Sequence, residues 1–196
     1  AAGAVSIFPS ESVSAAAPSS TDQAAAAQAP PPAAVPQNVL QQLEQYLTEQ
    51  PRVNLAVSGT GASVVIVKFN DYQCPPCGQT FREYKPVLAR LQQKHPGKIA
   101  FVTRDFPLDP ECNKGGGGHA AACEAAVAVR LAREKGRVDA LEDWLFANQS
   151  TLTPDSVRQG AASVGGVTDF EARYAKTLEL VKGDIQQGVQ LGVRGT

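Results

Sequence analysis

The stretch Val64-Val65-Ile66-Val67-Lys68-Phe69-Asn70-Asp71-Tyr72-Gln73-Cys74-Pro75-Pro76-Cys77 decides the fold. Its first six residues are a nearly continuous β-branched and apolar run, which reads as a strand buried on both faces. Strands of that kind belong to sheets covered by helices, and so to α/β architecture. Beyond the cysteines, Phe81, Tyr84, Val87, Leu88 and Leu91 recur at helical spacing, with Pro86 expected to kink the helix. A CxxC motif therefore stands where a strand feeds a helix.

Disulfide exchange needs a thiolate to attack and a second thiol close enough to resolve the mixed disulfide. Two intervening residues at a helix N-terminus supply both. The first cysteine then faces unpaired backbone N–H groups and the positive end of the helix dipole, so Cys74 is the expected nucleophile and Cys77 the more buried resolving thiol. Pro75 and Pro76 donate no N–H, yet their fixed φ suits a first helical turn and stiffens the loop. Zinc would need two further ligands, for which Cys112, His119 and Cys123 are the only supply. An inert structural disulfide is the other alternative.

Outward from this motif the chain divides by composition. Residues 1–36 are almost entirely Ala, Pro, Ser, Gln and Gly, too poor in apolar surface to offset ordering entropy, and read as a disordered tether with a stiffer Pro-rich end. Gln37 to Gln50 places Val39, Leu40, Leu43, Tyr46 and Leu47 on one helical stripe, stopped by Pro51. Val53 to Val57 alternates, Gly59-Thr60-Gly61 turns the chain, and Lys98 to Thr103 forms a second strand. From about His119 to Leu191 the pattern is helical. Breaks are expected at Gly136, Ser150 to Pro154, Gly165-Gly166 and Gly183, and capped helix starts at Thr153-Pro154-Asp155 and Thr168-Asp169.

With 196 residues, 43% hydrophobic and 19% charged, the chain can bury one ordinary core. A net charge of −1 gives no basic field for nucleic acid or an anionic membrane, and no window is apolar enough to span a bilayer. There is no methionine, so the chain is read as a piece of a longer polypeptide whose targeting segment is out of view. Cys112 and Cys123 bracket a flexible Gly115 to Gly118 run. A structural disulfide is the first reading for them, with a redox shuttle pair or a zinc site with His119 as alternatives. An even cysteine count with a spare pair favours an oxidising compartment. The glycine run lacks the Lys-Ser/Thr of a phosphate loop, His95 reads as an exposed helix end, and Trp144 as core.

The run from Val65 to Cys77 resembles the active-site region of DsbA-like thioredoxin-fold proteins, of the kind free in the periplasm or fused to bacterial vitamin K epoxide reductase homologues. Arg104-Asp105-Phe106-Pro107-Leu108-Asp109 and Leu191-Gly192-Val193-Arg194-Gly195-Thr196 add to the likeness, which covers about Val53 to Thr196. In the family the last run leads into a cis-proline facing the CxxC. Two departures stand out. The glutamate often found six residues before the first cysteine is Lys68 here, free either to favour a thiolate, to reach solvent, or to pair with Asp71 or Asp105. The chain also stops at Thr196, one residue short of the expected cis-proline.

The resemblance implies an α/β, thioredoxin-like fold with a helical insertion at about 119–191, truncated before the cis-proline and last strands, the domain being 37–196. It implies an extracytoplasmic thiol-disulfide oxidoreductase acting through Cys74 and Cys77, with Pro75, Pro76, Lys68 and Thr196 in support and no cofactor or metal. A protein disulfide oxidase is favoured over a reductase. The implied partners are thiols and disulfides of secreted clients and a membrane quinone-linked, vitamin K epoxide reductase-like protein, with periplasmic location and a possible membrane tether. The alternative is a non-catalytic thioredoxin-like binding domain with structural disulfides.

Overall fold

The computed structural model describes residues 35–49 and 61–196. The chain divides into two units, 1–51 and 52–196. The first contains helix α1 (Gln37–Glu49), which carries the predicted apolar stripe and an i,i+4 bond from Gln45 Nε2 to Glu49 Oε1 at 2.9 Å. Most of the 1–36 tether and the Val53 to Val57 strand lie outside the described residues.

In the second unit, β1 (Val64–Asn70) pairs in parallel with β2 (Ile99–Asp105) in the register Val64 to Ile99 through Asn70 to Asp105. Helix α2 (Pro75–Lys94) makes the crossover that a parallel pair requires. It runs unbroken through Pro86, which forgoes one intrahelical N–H bond. The second strand extends two residues past its predicted end, and the ladder continues as Phe106 N donates to Asn70 O at 2.8 Å.

Burial on both faces does not hold for β1. Val64 and Val65 are exposed, the middle residues are half-buried, and only Asn70 is fully covered. Among the described residues the sheet has two strands, so each has only one bonded neighbour, and a β-branched run reports strand propensity rather than what lies above it.

The core sits in the helical insert. Helix α3 (Ala122–Glu134) is buried along nearly its whole length because its alanines let α4 (Val138–Ala147), α5 (Pro154–Ser163) and α6 (Phe170–Gln190) pack around it. Thr153 caps α5 as the sequence predicts, with Ser156 completing a capping box. Thr168 does not cap α6: the N-cap is Asp169, without a side-chain bond. Nor does Gly183 break α6. One interior glycine costs about 1 kcal/mol, and the burial of Leu178, Val181 and Ile185 on the same helix outweighs it. At Gly188 the helix rides so close to the sheet that a Cβ would stand 2.7 Å from the Phe106 ring and 3.0 Å from that of Phe69. Arg104 and Arg130 tie Asp184 of α6 to the end of β2, Arg130 also reaching Asp105, and burial pushes Asp105 up to about 6.

Candidate active site

The strand β1 delivers the chain to the site, and a short turn converts it into α2. Asp71 builds that turn: its Oδ1 accepts from Gln73 N at 2.7 Å and its carbonyl from Cys74 N at 3.3 Å. Cys74 is the helix N-cap, Pro75 and Pro76 fill the first exposed positions, and Gly78 N donates to Cys74 O at 3.2 Å. Cys74 and Cys77 are both free thiols, 3% and 4% exposed, so the expected difference in burial between them is absent. The turn tucks Cys74 inward, where its thiol donates to the carbonyl of Thr196 at 3.0 Å.

Three side chains lock this turn to the rest of the unit. The buried carboxylate of Asp71 accepts at Oδ2 from Leu108 N and lies against His119 Nδ1, each at 2.7 Å. Gln73 takes Ala121 N at 2.6 Å and donates to Leu152 O at 3.3 Å. Gln149 donates through Nε2 to Tyr72 O at 3.1 Å and to Cys74 O at 2.6 Å. The His119 imidazole is thus engaged by Asp71, and Cys112 and Cys123 are joined in a disulfide with Cα atoms 6.1 Å apart, which leaves no free thiol there for zinc.

Next to the Cys77 backbone lies a small group of ionisable residues, of which Lys68 and Glu142 are half-buried. Lys68 Nζ donates to the Cys77 carbonyl at 3.2 Å and stands 5.9 Å over the Phe146 ring; it pairs with neither Asp71 nor Asp105. Burial lowers Lys68 from its ordinary value, against the pull of Cys77 and Glu142. Burial raises the Cys77 thiol, with a hydrogen bond to the Asp71 backbone and the Lys68 charge acting the other way without cancelling it. Burial also raises Glu142, whose Oε1 accepts from the Tyr72 hydroxyl at 2.7 Å. A cavity of about 190 Å³ opens here, lined by Lys68, Phe81, Phe101, Glu142 and Phe146 among others.

The family model described as thioredoxin matches residues 55–190. The chain belongs to the thioredoxin family. Among solved structures, this thioredoxin-family chain is 26% identical to a periplasmic thioredoxin-like protein from Salmonella enterica serovar Typhimurium, at a TM-score of 0.50 over 71% of this chain and 72% of that one. ScsC from Proteus mirabilis matches at 17% identity and a TM-score of 0.52, covering 82% and 75%. The thiol-disulfide exchange protein alpha-DsbA2 from Wolbachia pipientis matches at 23% and 0.50, covering 70% and 69%. Those two likenesses establish the fold, which is DsbA-like and α/β. Among curated proteins none matches the chain.

The structure brings Cys74, Cys77, Pro75, Pro76, Lys68 and Thr196 into one place, and the Cys112–Cys123 disulfide ties the segment after β2 to the start of α3. Sequence reasoning missed Gln73, Gln149, Glu142 and the Asp71–His119 contact. Gln149 lies 75 residues from the cysteine whose carbonyl it holds, a separation at which no local pattern exists to read.

Proposed function

We propose that this thioredoxin-family protein is an extracytoplasmic thiol-disulfide oxidoreductase in which Cys74 forms the mixed disulfide with client proteins and Cys77 is its partner thiol, leaving when a client attacks and resolving the mixed disulfide when the reaction runs in reverse. The observation that carries the reading is Cys74 as the N-cap of α2, with Cys77 in the first turn beside it. The direction that fits best is disulfide donation. A client thiolate attacks Cys74 Sγ of the oxidised pair, the Cys74–Cys77 bond breaks, and Cys77 leaves as a thiolate. A second client thiolate then attacks the client sulfur of the mixed disulfide and Cys74 leaves, so two electrons pass from client to protein. Lys68, bonded to the Cys77 backbone, favours the departing Cys77 thiolate. Pro75 and Pro76 stiffen the turn, and Thr196 holds the reduced Cys74 thiol.

The clients are secreted proteins, and a membrane quinone-linked partner of the vitamin K epoxide reductase kind takes up the two electrons to restore the disulfide. The Cys112–Cys123 disulfide and the periplasmic description of the Salmonella relative support an oxidising, periplasmic home. No described helix is long and apolar enough to cross a membrane. Residues 1–36 serve as a spacer and 37–196 as the working domain.

The test is equilibration of the Cys74–Cys77 pair in glutathione buffers, in wild type and in a Cys112→Ser/Cys123→Ser variant. A potential near or above about −200 mV supports a disulfide donor and one near about −270 mV a reductase. A potential below about −300 mV with Cys74 unreactive towards alkylation refutes exchange and leaves a binding domain with a structural disulfide.

A further inference from the structure

Away from the thiols, three carboxylates converge where the segment after β2 meets the start of α3. One oxygen from each of Asp109, Glu111 and Glu124 lies within 4.8 Å of the other two. Each carboxylate is held at one oxygen by a donor of the fold. Asp109 Oδ1 accepts from Glu111 N at 3.0 Å, Glu111 Oε1 from the Tyr174 hydroxyl at 2.8 Å, and Glu124 Oε1 from Arg158 Nη2 at 3.2 Å. The other oxygens of the two buried members, Asp109 Oδ2 and Glu124 Oε2, are shut off from solvent and have no hydrogen-bond partner.

Proteins rarely bury an acceptor without a partner, and less often two in one cluster. The charge is also out of balance. Among the described residues, Glu124 alone of the three acids has an ion pair, with an Arg158 that is shared with Asp155 and Glu171. Asp109 is 4% exposed and Glu124 3%, whereas Glu111 is exposed and leaves one side open to water.

We propose that Asp109, Glu111 and Glu124 form a binding site for a hard divalent cation, Ca²⁺ in particular. An all-carboxylate donor set excludes the softer metals that favour thiolate or imidazole. Oxygens within 4.8 Å of one another can share an ion that holds them at about 2.3–2.6 Å in flexible geometry, as Ca²⁺ does; Mg²⁺ demands a near-ideal octahedron at about 2.0–2.1 Å, which a cluster with one exposed, flexible carboxylate suits less well. Water entering on the Glu111 side completes the coordination. Asp109 and Glu111 lie just before Cys112 and Glu124 just after Cys123, so the ion joins the same two segments as the disulfide and keeps them together when that bond is reduced.

The test is titration of the chelator-treated full chain with CaCl₂ by isothermal calorimetry, with thermal unfolding alongside. Wild type should bind one Ca²⁺ with a Kd of about 10⁻⁴–10⁻³ M, the range of extracellular modules, bind Mg²⁺ more weakly, and unfold at a higher temperature with Ca²⁺ present. Glu111→Gln removes an exposed charge while keeping an acceptor for Tyr174, so it should fold normally and bind about tenfold more weakly. Glu124→Gln should abolish binding. The proposal is overturned if wild type shows neither heat nor a thermal shift up to about 10 mM Ca²⁺, or if wild type and Glu111→Gln bind equally.

Discussion

Gln149 and Gly78 should behave as one energetic unit. The Gln149 amide donates to the carbonyls of Cys74 and Tyr72, at 2.6 and 3.1 Å, while a Cβ on Gly78 would stand 2.6 Å from its Oε1. At about 0.5–1.5 kcal/mol net for each bond, Gln149→Ala should cost about 2 kcal/mol. For a unit of this size that is a fall of about 4–8 °C in Tm. Gly78→Ala should gain about 1 kcal/mol of helix propensity, yet its methyl group evicts the Gln149 amide and forfeits both bonds. Alone it should therefore destabilise by about 1 kcal/mol. With Gln149 already alanine the obstruction is gone, and the same Gly78→Ala should stabilise by about 1 kcal/mol. The assay is urea unfolding of wild type, both single variants and the double variant, followed by circular dichroism. A coupling energy of about 2 kcal/mol is the expected result, and additivity within about 0.5 kcal/mol would refute the clamp.

Lys68→Met should raise the Cys77 thiol further, because the Lys68 charge is one of the influences holding it down. In a Cys74→Ser background the alkylation profile of Cys77 should move to higher pH, and an unmoved profile would show that Lys68 acts only as a backbone donor. Asp105 is raised by burial from its ordinary 3.8 to about 6, so the folded state binds its proton more readily than the unfolded chain does. Its contribution is present below about pH 4 and is lost as pH rises to about 6, up to about 3 kcal/mol. Asp105→Asn should flatten that part of the stability profile measured by urea unfolding between pH 4 and 7, and an unchanged slope would sink the assignment.

What the sequence disclosed was local. A β-branched run followed by CxxC and helical periodicity is written in consecutive residues, and so is the Thr153 capping box, because the cap and its partner Ser156 lie three positions apart. What it hid depends on packing. The exposure of Val64 and Val65, the passage of α6 through Gly183, and the equal burial of Cys74 and Cys77 are set by neighbours distant in the chain. A glycine in a helical pattern reads as a stop until the apolar face around it is known to be buried.

Lys68 shows how the two kinds of information combine. Its position on β1 puts it under the second cysteine whatever its identity, since the parallel pairing and the turn at Asp71 fix where residue 68 points. Only the fold shows that the nearby acid is Glu142, contributed by α4 and held by Tyr72 rather than by the strand. A cation on the strand and a carboxylate on the insert both line the cavity between them, and Lys68 also reaches the Cys77 carbonyl. Because burial lowers one and raises the other, each sits nearer its neutral form than it would in water, and a proton moves between such groups at less cost. The helical insert is therefore part of the proposed redox site: it supplies Gln149, bonded to the Cys74 carbonyl, and Glu142, bonded to the Tyr72 hydroxyl, and a thioredoxin core without it would lack both.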